Sequence, residues 1–193
     1  MDYDIYALQH ELSNILTEKR LFHSFGVQSF SFALALRYGY DTSKANVAGL
    51  LHDCAKCMED TTILMECEKN NIAVRAVERR SPYLLHGKLG AYYAEYKYGI
   101  TDPDVLSAIT YHTTGKPEMN LLEKIVFTAD YIEPNRSTKC IPGLDHTREL
   151  AFIDLDKTVY QILHNTLQYL ESKQLEIDNL TIDAYDYYKS YRK

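Results

Sequence analysis

Ala48-Gly49-Leu50-Leu51-His52-Asp53-Cys54-Ala55-Lys56 is a small-residue, apolar run that closes on an imidazole, a carboxylate and an ammonium group. Upstream, Asp41 to Ser43 supply the short polar side chains that cap a helix start, and Val47, Leu50 and Leu51 follow at helical spacing. The stretch reads as the far end of a helix. A bare carboxylate there is costly to bury, so something must compensate Asp53. Adjacent helical residues point about 100° apart, so His52 and Asp53 straddle one ion without saturating it, and other helices must supply the rest. Lys56 lies on the same side if the helix runs on, and is poised for phosphate.

The same period recurs outward in both directions. Ile5, Leu8, Leu12, Ile15 and Leu16 mark a first helix, and Val27, Phe30 and Leu34 a second that ends at Gly39. Further helices are predicted over 61–70, 87–98, 103–112, 121–132 and 156–175. Breaks fall at Ser81-Pro82, Gly99, Gly115 to Pro117, Pro134 and Ile141-Pro142-Gly143. Strand alternation is hard to find, and the fold class is all-α. No solenoid-period repeat and no low-complexity tract interrupts the pattern.

With 193 residues, 46% hydrophobic and 25% charged, and with 8 Gly and 5 Pro, the chain is expected to form one domain over 1–193. Its 21 basic and 27 acidic residues give a net charge of −6, which repels polyanions at long range, so no duplex nucleic acid is expected as a partner. An anionic substrate must then be drawn by a metal ion or a few placed cations. Met1-Asp2-Tyr3-Asp4 is acidic and precedes an amphipathic stretch, so no signal peptide is expected, and no run approaches a membrane span. Cys54, Cys57, Cys67 and Cys140 read as reduced thiols of a cytoplasmic protein; the CxxC at 54–57 lacks the context of a redox or zinc motif. The 17 tyrosines cluster at Tyr92, Tyr93, Tyr96, Tyr98 and at Tyr185, Tyr187, Tyr188, Tyr191, which suits ordinary helix packing or a homodimer interface.

Two further groups are placed to complete an ion's shell. His23 precedes Val27, Phe30 and Leu34 on one buried stripe, and Asp130 lies four residues beyond Val126 on a core-like helix. Singly, each has a bland reading as a hydrogen-bonded core residue. As the ordered set His23, His52-Asp53, Asp130, they resolve one another's desolvation through a shared cation. His86 and His112 stand at element ends beside glycine or small residues, where they suit a second metal or a phosphate. Arg136, after Pro134, offers a planar fork to phosphoryl oxygens, and Arg20 lies on the side of His23. His10, His146 and His164 have no partner pattern and read as surface or packing residues. The stretch 173–178 after the long late helix is placed to close over a base.

Arg20 to Val27, Ala48 to Lys56, Tyr111-His112-Thr113-Thr114-Gly115 and Phe127 to Arg136 together resemble the YqeK family of the HD superfamily of metal-dependent phosphohydrolases. The resemblance runs from about residue 15 into the C-terminal helices. It implies an HD-domain helical bundle and a symmetrical bis(5′-nucleosyl)-tetraphosphatase that cuts diadenosine tetraphosphate into two ADP. It implies His23, His52, Asp53 and Asp130 as metal ligands, with iron as the ion, one or two in number, divalent or mixed-valence. Asp53 and Lys56 are then catalytic, and Arg20, Lys56, His86, His112, Thr113 and Arg136 surround the substrate or its ADP product. Imidazole and carboxylate ligands alone also suit manganese, zinc or cobalt. Rival readings are an HD nucleotidase or phosphodiesterase on other nucleotides, and a non-catalytic nucleotide-sensing module.

Overall fold

The computed structural model describes residues 3–139 and 141–192. Among these, no strand forms. The helices are α1 (Ile5–Ser13), α2 (Glu18–Tyr38), α3 (Thr42–Leu51), α4 (Asp60–Lys69), α5 (Ala76–Arg80), α6 (His86–Tyr96), α7 (Pro103–Tyr111), α8 (Leu121–Ile132), α9 (Leu144–Ala151), α10 (Leu155–Ser172) and α11 (Asn179–Tyr188). Short 3-10 turns occupy Pro82–Leu85 and Lys189–Arg192. Among the described residues, no helix is long and apolar enough to cross a membrane.

Local chemistry sets the boundaries. Asp41 accepts from the backbone of Ser43 and Lys44 to start α3, Asp102 does the same for α7 with Pro103 in the first turn, and Asn120 and Glu123 form a reciprocal box at the start of α8. Gly39 ends α2 at φ 67°, a left-handed conformation that glycine adopts without strain.

α2 packs along α3, and α8 lies against both, burying Val27, Leu34, Val47, Leu50, Leu51, Ile125 and Val126 in one core that α6, α7 and α9 extend. The α2–α3 contact is close because Gly49 carries no side chain. A Cβ there would lie 2.6 Å from Ser31 Oγ and 3.0 Å from Gln28 Cα. A second cluster sets α10 and α11 over Phe127 and Met119, and a third sets α4 and the Pro82–Leu85 turn against α6.

Several expectations are corrected. The first helix stops at Ser13; Leu16 is buried from the turn that follows, while Ile15 is exposed. α3 does not continue through Lys56. It ends at Leu51, and the chain proceeds by tight turns, with Cys54 N donating to Leu51 O at 3.0 Å and Lys56 N to Asp53 O at 2.9 Å. The physical reason lies in His52, whose ring faces the Gly49 carbonyl at 2.7 Å, the acceptor that the next helical N–H would use. α5, α9 and α11 were not anticipated. Residues 173–178 are fastened over α5, with Asp178 accepting from Arg75 at 2.8 Å and Glu176 from Arg80 at 2.9 Å. Tyr188 is core, 1% exposed, and accepts from Met119 N at 3.0 Å. Cys54, Cys57 and Cys67 are free thiols, while Cys140 lies outside the described residues.

Replacing Gly49 by alanine overpacks the α2–α3 contact. The variant is expected to lose about 1–3 kcal/mol of stability in urea unfolding, despite alanine's better helix propensity. An unchanged midpoint would show that the two helices separate freely.

Candidate metal centre

Six side chains from five helical segments meet in one place. His23 comes from α2, His52 and Asp53 from the end of α3, His86 from the start of α6, His112 from the end of α7 and Asp130 from α8. His23 Nε2 lies 3.2 Å from His52 Nε2, 3.0 Å from Asp130 Oδ1 and 3.7 Å from Asp53 Oδ2. His52 Nε2 lies 3.6 Å from Asp53 Oδ2 and 3.9 Å from Asp130 Oδ1. On the other oxygen of Asp53, His86 Nε2 stands at 3.2 Å and His112 Nε2 at 3.4 Å, with 3.0 Å between the two nitrogens. The structure thus brings together all four residues of the first set, and places His86 and His112 on the opposite face of the shared carboxylate.

The outward faces of the rings decide what the inward faces offer. His52 Nδ1 faces the Gly49 carbonyl at 2.7 Å, His86 Nδ1 the Tyr83 carbonyl at 2.5 Å, and His112 Nδ1 the Ile109 carbonyl at 2.8 Å. A carbonyl only accepts, so each Nδ1 carries the proton and each neutral ring presents a lone pair inward at Nε2. His23 Nδ1 donates to Glu133 Oε1 at 3.0 Å and follows the same rule. Four imidazole lone pairs and two carboxylates therefore converge at distances where acceptors repel. Asp53 Oδ1 is buried without a hydrogen bond. A divalent cation satisfies this donor set, and imidazoles steadied through their second nitrogen are the usual form of such ligands. Two groupings have the spacing to hold an ion, His23–His52–Asp130 and His52–Asp53–His112, and they share His52.

The electrostatics agree with that reading. Burial pushes His52 and His86 down to about 4, keeping both neutral despite nearby Asp53. Burial opposes ionisation of Asp53, yet positive charge on its His52, His112 and His86 side, of the kind a proton or a cation supplies, holds it well below the usual carboxylate range. Asp130 is also held low against its burial, by His23 and Arg136. Burial works against a charge on His23, but Asp130 and Glu133 outweigh it and raise the ring to about 9, so this position favours positive charge, whether proton or cation.

Four predicted outer residues ring the centre. Arg20 Nη1 donates to Asp53 Oδ2 at 3.0 Å, and Arg136 Nη2 to Asp130 Oδ1 at 2.7 Å. Lys56 Nζ lies 3.0 Å from His86 Nε2, and burial lowers its pKa against the pull of Asp53. Thr113 Oγ1 is 3.0 Å from both His86 Nε2 and His112 Nε2.

A family model described as the HD domain matches residues 20–135, a span that contains every residue of the centre. The chain belongs to this family. This HD protein is 37% identical over 172 residues to the Bacillus subtilis (strain 168) protein named bis(5'-nucleosyl)-tetraphosphatase, symmetrical, covering 89% of this chain and 90% of the relative. It is 41% identical over 175 residues to the Staphylococcus aureus (strain NCTC 8325 / PS 47) protein of the same name, covering 90% and 88%. These relatives bear out the YqeK-type resemblance. A crystal structure of a predicted HD superfamily hydrolase involved in NAD metabolism, from Clostridium acetobutylicum, matches at a TM-score of 0.93 and 40% identity over all of both chains.

Sequence reasoning missed Glu133 as a member of the HD site. It is 2% exposed, accepts from His23 through one oxygen, and through the other from Asn135 N at 2.6 Å. Gly26 makes the approach possible, since a Cβ there would collide with the Glu133 carboxylate. The available signal was the i, i+3 spacing from Asp130, which returns an acid to the same side of the helix. Glu133→Ala is expected to weaken binding of a divalent cation to stripped protein about 10–100-fold, and Glu133→Gln less, as read by titration calorimetry. Wild-type affinity in Glu133→Ala would remove the orienting role.

Proposed function

We propose that this HD protein hydrolyses dinucleoside polyphosphates, cutting diadenosine tetraphosphate symmetrically into two ADP. The observation that carries the reading is Asp53, a buried carboxylate that turns one oxygen to His23 and His52 and the other to His86 and His112. The names of the Bacillus and Staphylococcus relatives supply the substrate. His23, His52, Asp53 and Asp130 would hold a divalent cation, and His86 and His112 a second cation or a phosphate. Iron is our assignment from the family resemblance. When bound, such a cation supplies Lewis acidity, making water a stronger acid and a better nucleophile and accepting charge from phosphoryl oxygens.

The remaining chemistry belongs to the chain. Arg20 and Arg136 are about one-third exposed, so their guanidinium groups reach the mouth of the centre and can turn from Asp53 and Asp130 to the phosphate oxygens. Lys56 and the Thr113 hydroxyl sit on the His86–His112 side, where they would neutralise charge on the departing ADP. The oxygen of water bonds to one of the two inner phosphorus atoms, the central bridging P–O bond breaks, and its electron pair leaves on the terminal phosphate of the second ADP. Positive side chains on both sides of Asp53, Arg20 on one and Lys56 on the other, would suit a chain held by its middle.

Residues 1–193 are read as one hydrolase domain, because α10 and α11 pack directly on Phe127 of α8, within the helix that carries Asp130. A cytoplasmic location and no role on duplex nucleic acid follow from composition. For a homodimer, Tyr96 and Tyr187 leave aromatic surface exposed, whereas Tyr188 is committed to the core.

Asp53→Ala is expected to abolish bound metal and lower turnover more than about 100-fold, measured by elemental analysis beside a chromatographic assay. Full activity in metal-free Asp53→Ala would refute the assignment. Wild-type enzyme should yield ADP alone; AMP plus ATP would mean asymmetric cleavage. Lys56→Ala should bind metal normally and lower kcat roughly 10²-fold, and an unchanged kcat would remove Lys56 from the mechanism.

A further inference from the structure

His146, His164 and the late tyrosines have no place in the metal centre, and the fold gathers several of them elsewhere. Lys157, Tyr160, Gln161 and His164 share one face of α10. With Tyr185 of α11 and Arg192 of the last 3-10 turn, they line a cavity of about 500 Å³ that His146 of α9 also borders. None of these residues belongs to the centre around Asp53.

The lining is flat, aromatic and cationic. The rings of Tyr160 and His164 lie 6.0 Å apart at 17°, Tyr160 and Tyr185 5.6 Å apart at 22°, and His164 and Tyr185 6.1 Å apart at 22°. Tyr160 is 8% exposed and backs the group from the core, while His164 and Tyr185, both half-buried, offer the accessible part of a platform for another planar ring. Lys157 and Arg192 supply positive charge, and no carboxylate lines the cavity among the described residues, although acids outnumber bases 27 to 21 in the chain. Lys157 meets Asp154 only at 4.0 Å, which leaves its ammonium free to turn. Gln161 is steadied by donating to Asn165 Oδ1 at 2.8 Å, giving the wall a fixed polar group. The volume falls within the range of small-molecule sites, roughly 300–1,000 Å³.

We propose that this cavity is a second nucleotide site, separate from the metal centre. It takes a nucleobase against the rings of His164 and Tyr185, which Tyr160 backs, and its phosphate on Lys157 and Arg192. An aromatic platform beside paired cations selects a planar anion over either a neutral ring or a bare phosphate.

The test is equilibrium binding of ADP to the metal-loaded, full-length protein, with inorganic phosphate and adenosine as comparison probes. Wild type should bind two ADP per chain. The Lys157→Glu, Arg192→Glu double variant changes surface groups and should bind one, with the lost site weakened at least tenfold and turnover at the metal centre within twofold of wild type. His164→Ala should weaken the same site for ADP at least fivefold while leaving phosphate binding unchanged. A single ADP per wild-type chain, or two undiminished sites in the double variant, would overturn the proposal. So would phosphate or adenosine binding the cavity as tightly as ADP.

Discussion

A carboxylate stripped of water, with imidazole nitrogens facing both of its oxygens, is the constraint around which this molecule is arranged. An isolated ion costs several kcal/mol to bury, and Asp53 is 2% exposed. Val47, Leu50 and Leu51 of α3 are fully buried, each contributing about 1.5–3 kcal/mol, enough to hold the helix end in place against that cost. The charge is then met by residues from α2, α6, α7 and α8. Distances among these groups follow from how closely the helices approach, and Gly49 sets the closest approach between the helices that carry His23 and His52.

The centre was legible in the sequence because its members interrupt otherwise apolar patterns. His23 stands on a stripe with Val27 and Leu34, both fully buried, and Asp130 on a helix with Ile125, Val126 and Ala129. The His52-Asp53 pair closes a short helix whose last five residues, Val47 to Leu51, are all apolar or small and all buried. Each anomaly is visible in isolation, and the ordered set gives it a common purpose. What failed was continuity. Helical spacing would set Lys56 beside His52 and Asp53 only if the helix ran on, and it does not: the His52 ring engages the Gly49 carbonyl and the chain turns. Lys56 still reaches His86, by a route that helical spacing does not describe.

The late helices escaped for a different reason. α9 buries Leu144, Thr147 and Ala151, and α11 buries Thr181, Ala184 and Tyr188. Both helices are short, and threonine and alanine fill much of the packed face, so few large apolar side chains mark the stripe. α5 is only five residues long; Arg75 and Glu78 cap its start locally, but its tie to Asp178 comes from 103 positions along the chain, and so short a helix shows no apolar periodicity. Glu133 was hidden in a similar way: it lies just past the last turn of α8, and its role depends on a histidine 110 positions earlier in the chain.

Arg20 and Arg136 each grip an acid of the centre, so the two guanidinium groups are not idle charges waiting for a guest. A polyphosphate that draws them toward itself would loosen their hold on Asp53 and Asp130, leaving those acids with more charge for a cation to meet. On the proposed assignment, arrival of the anion and retention of an ion would then reinforce each other, because a carboxylate relieved of its arginine would have more charge to offer a cation.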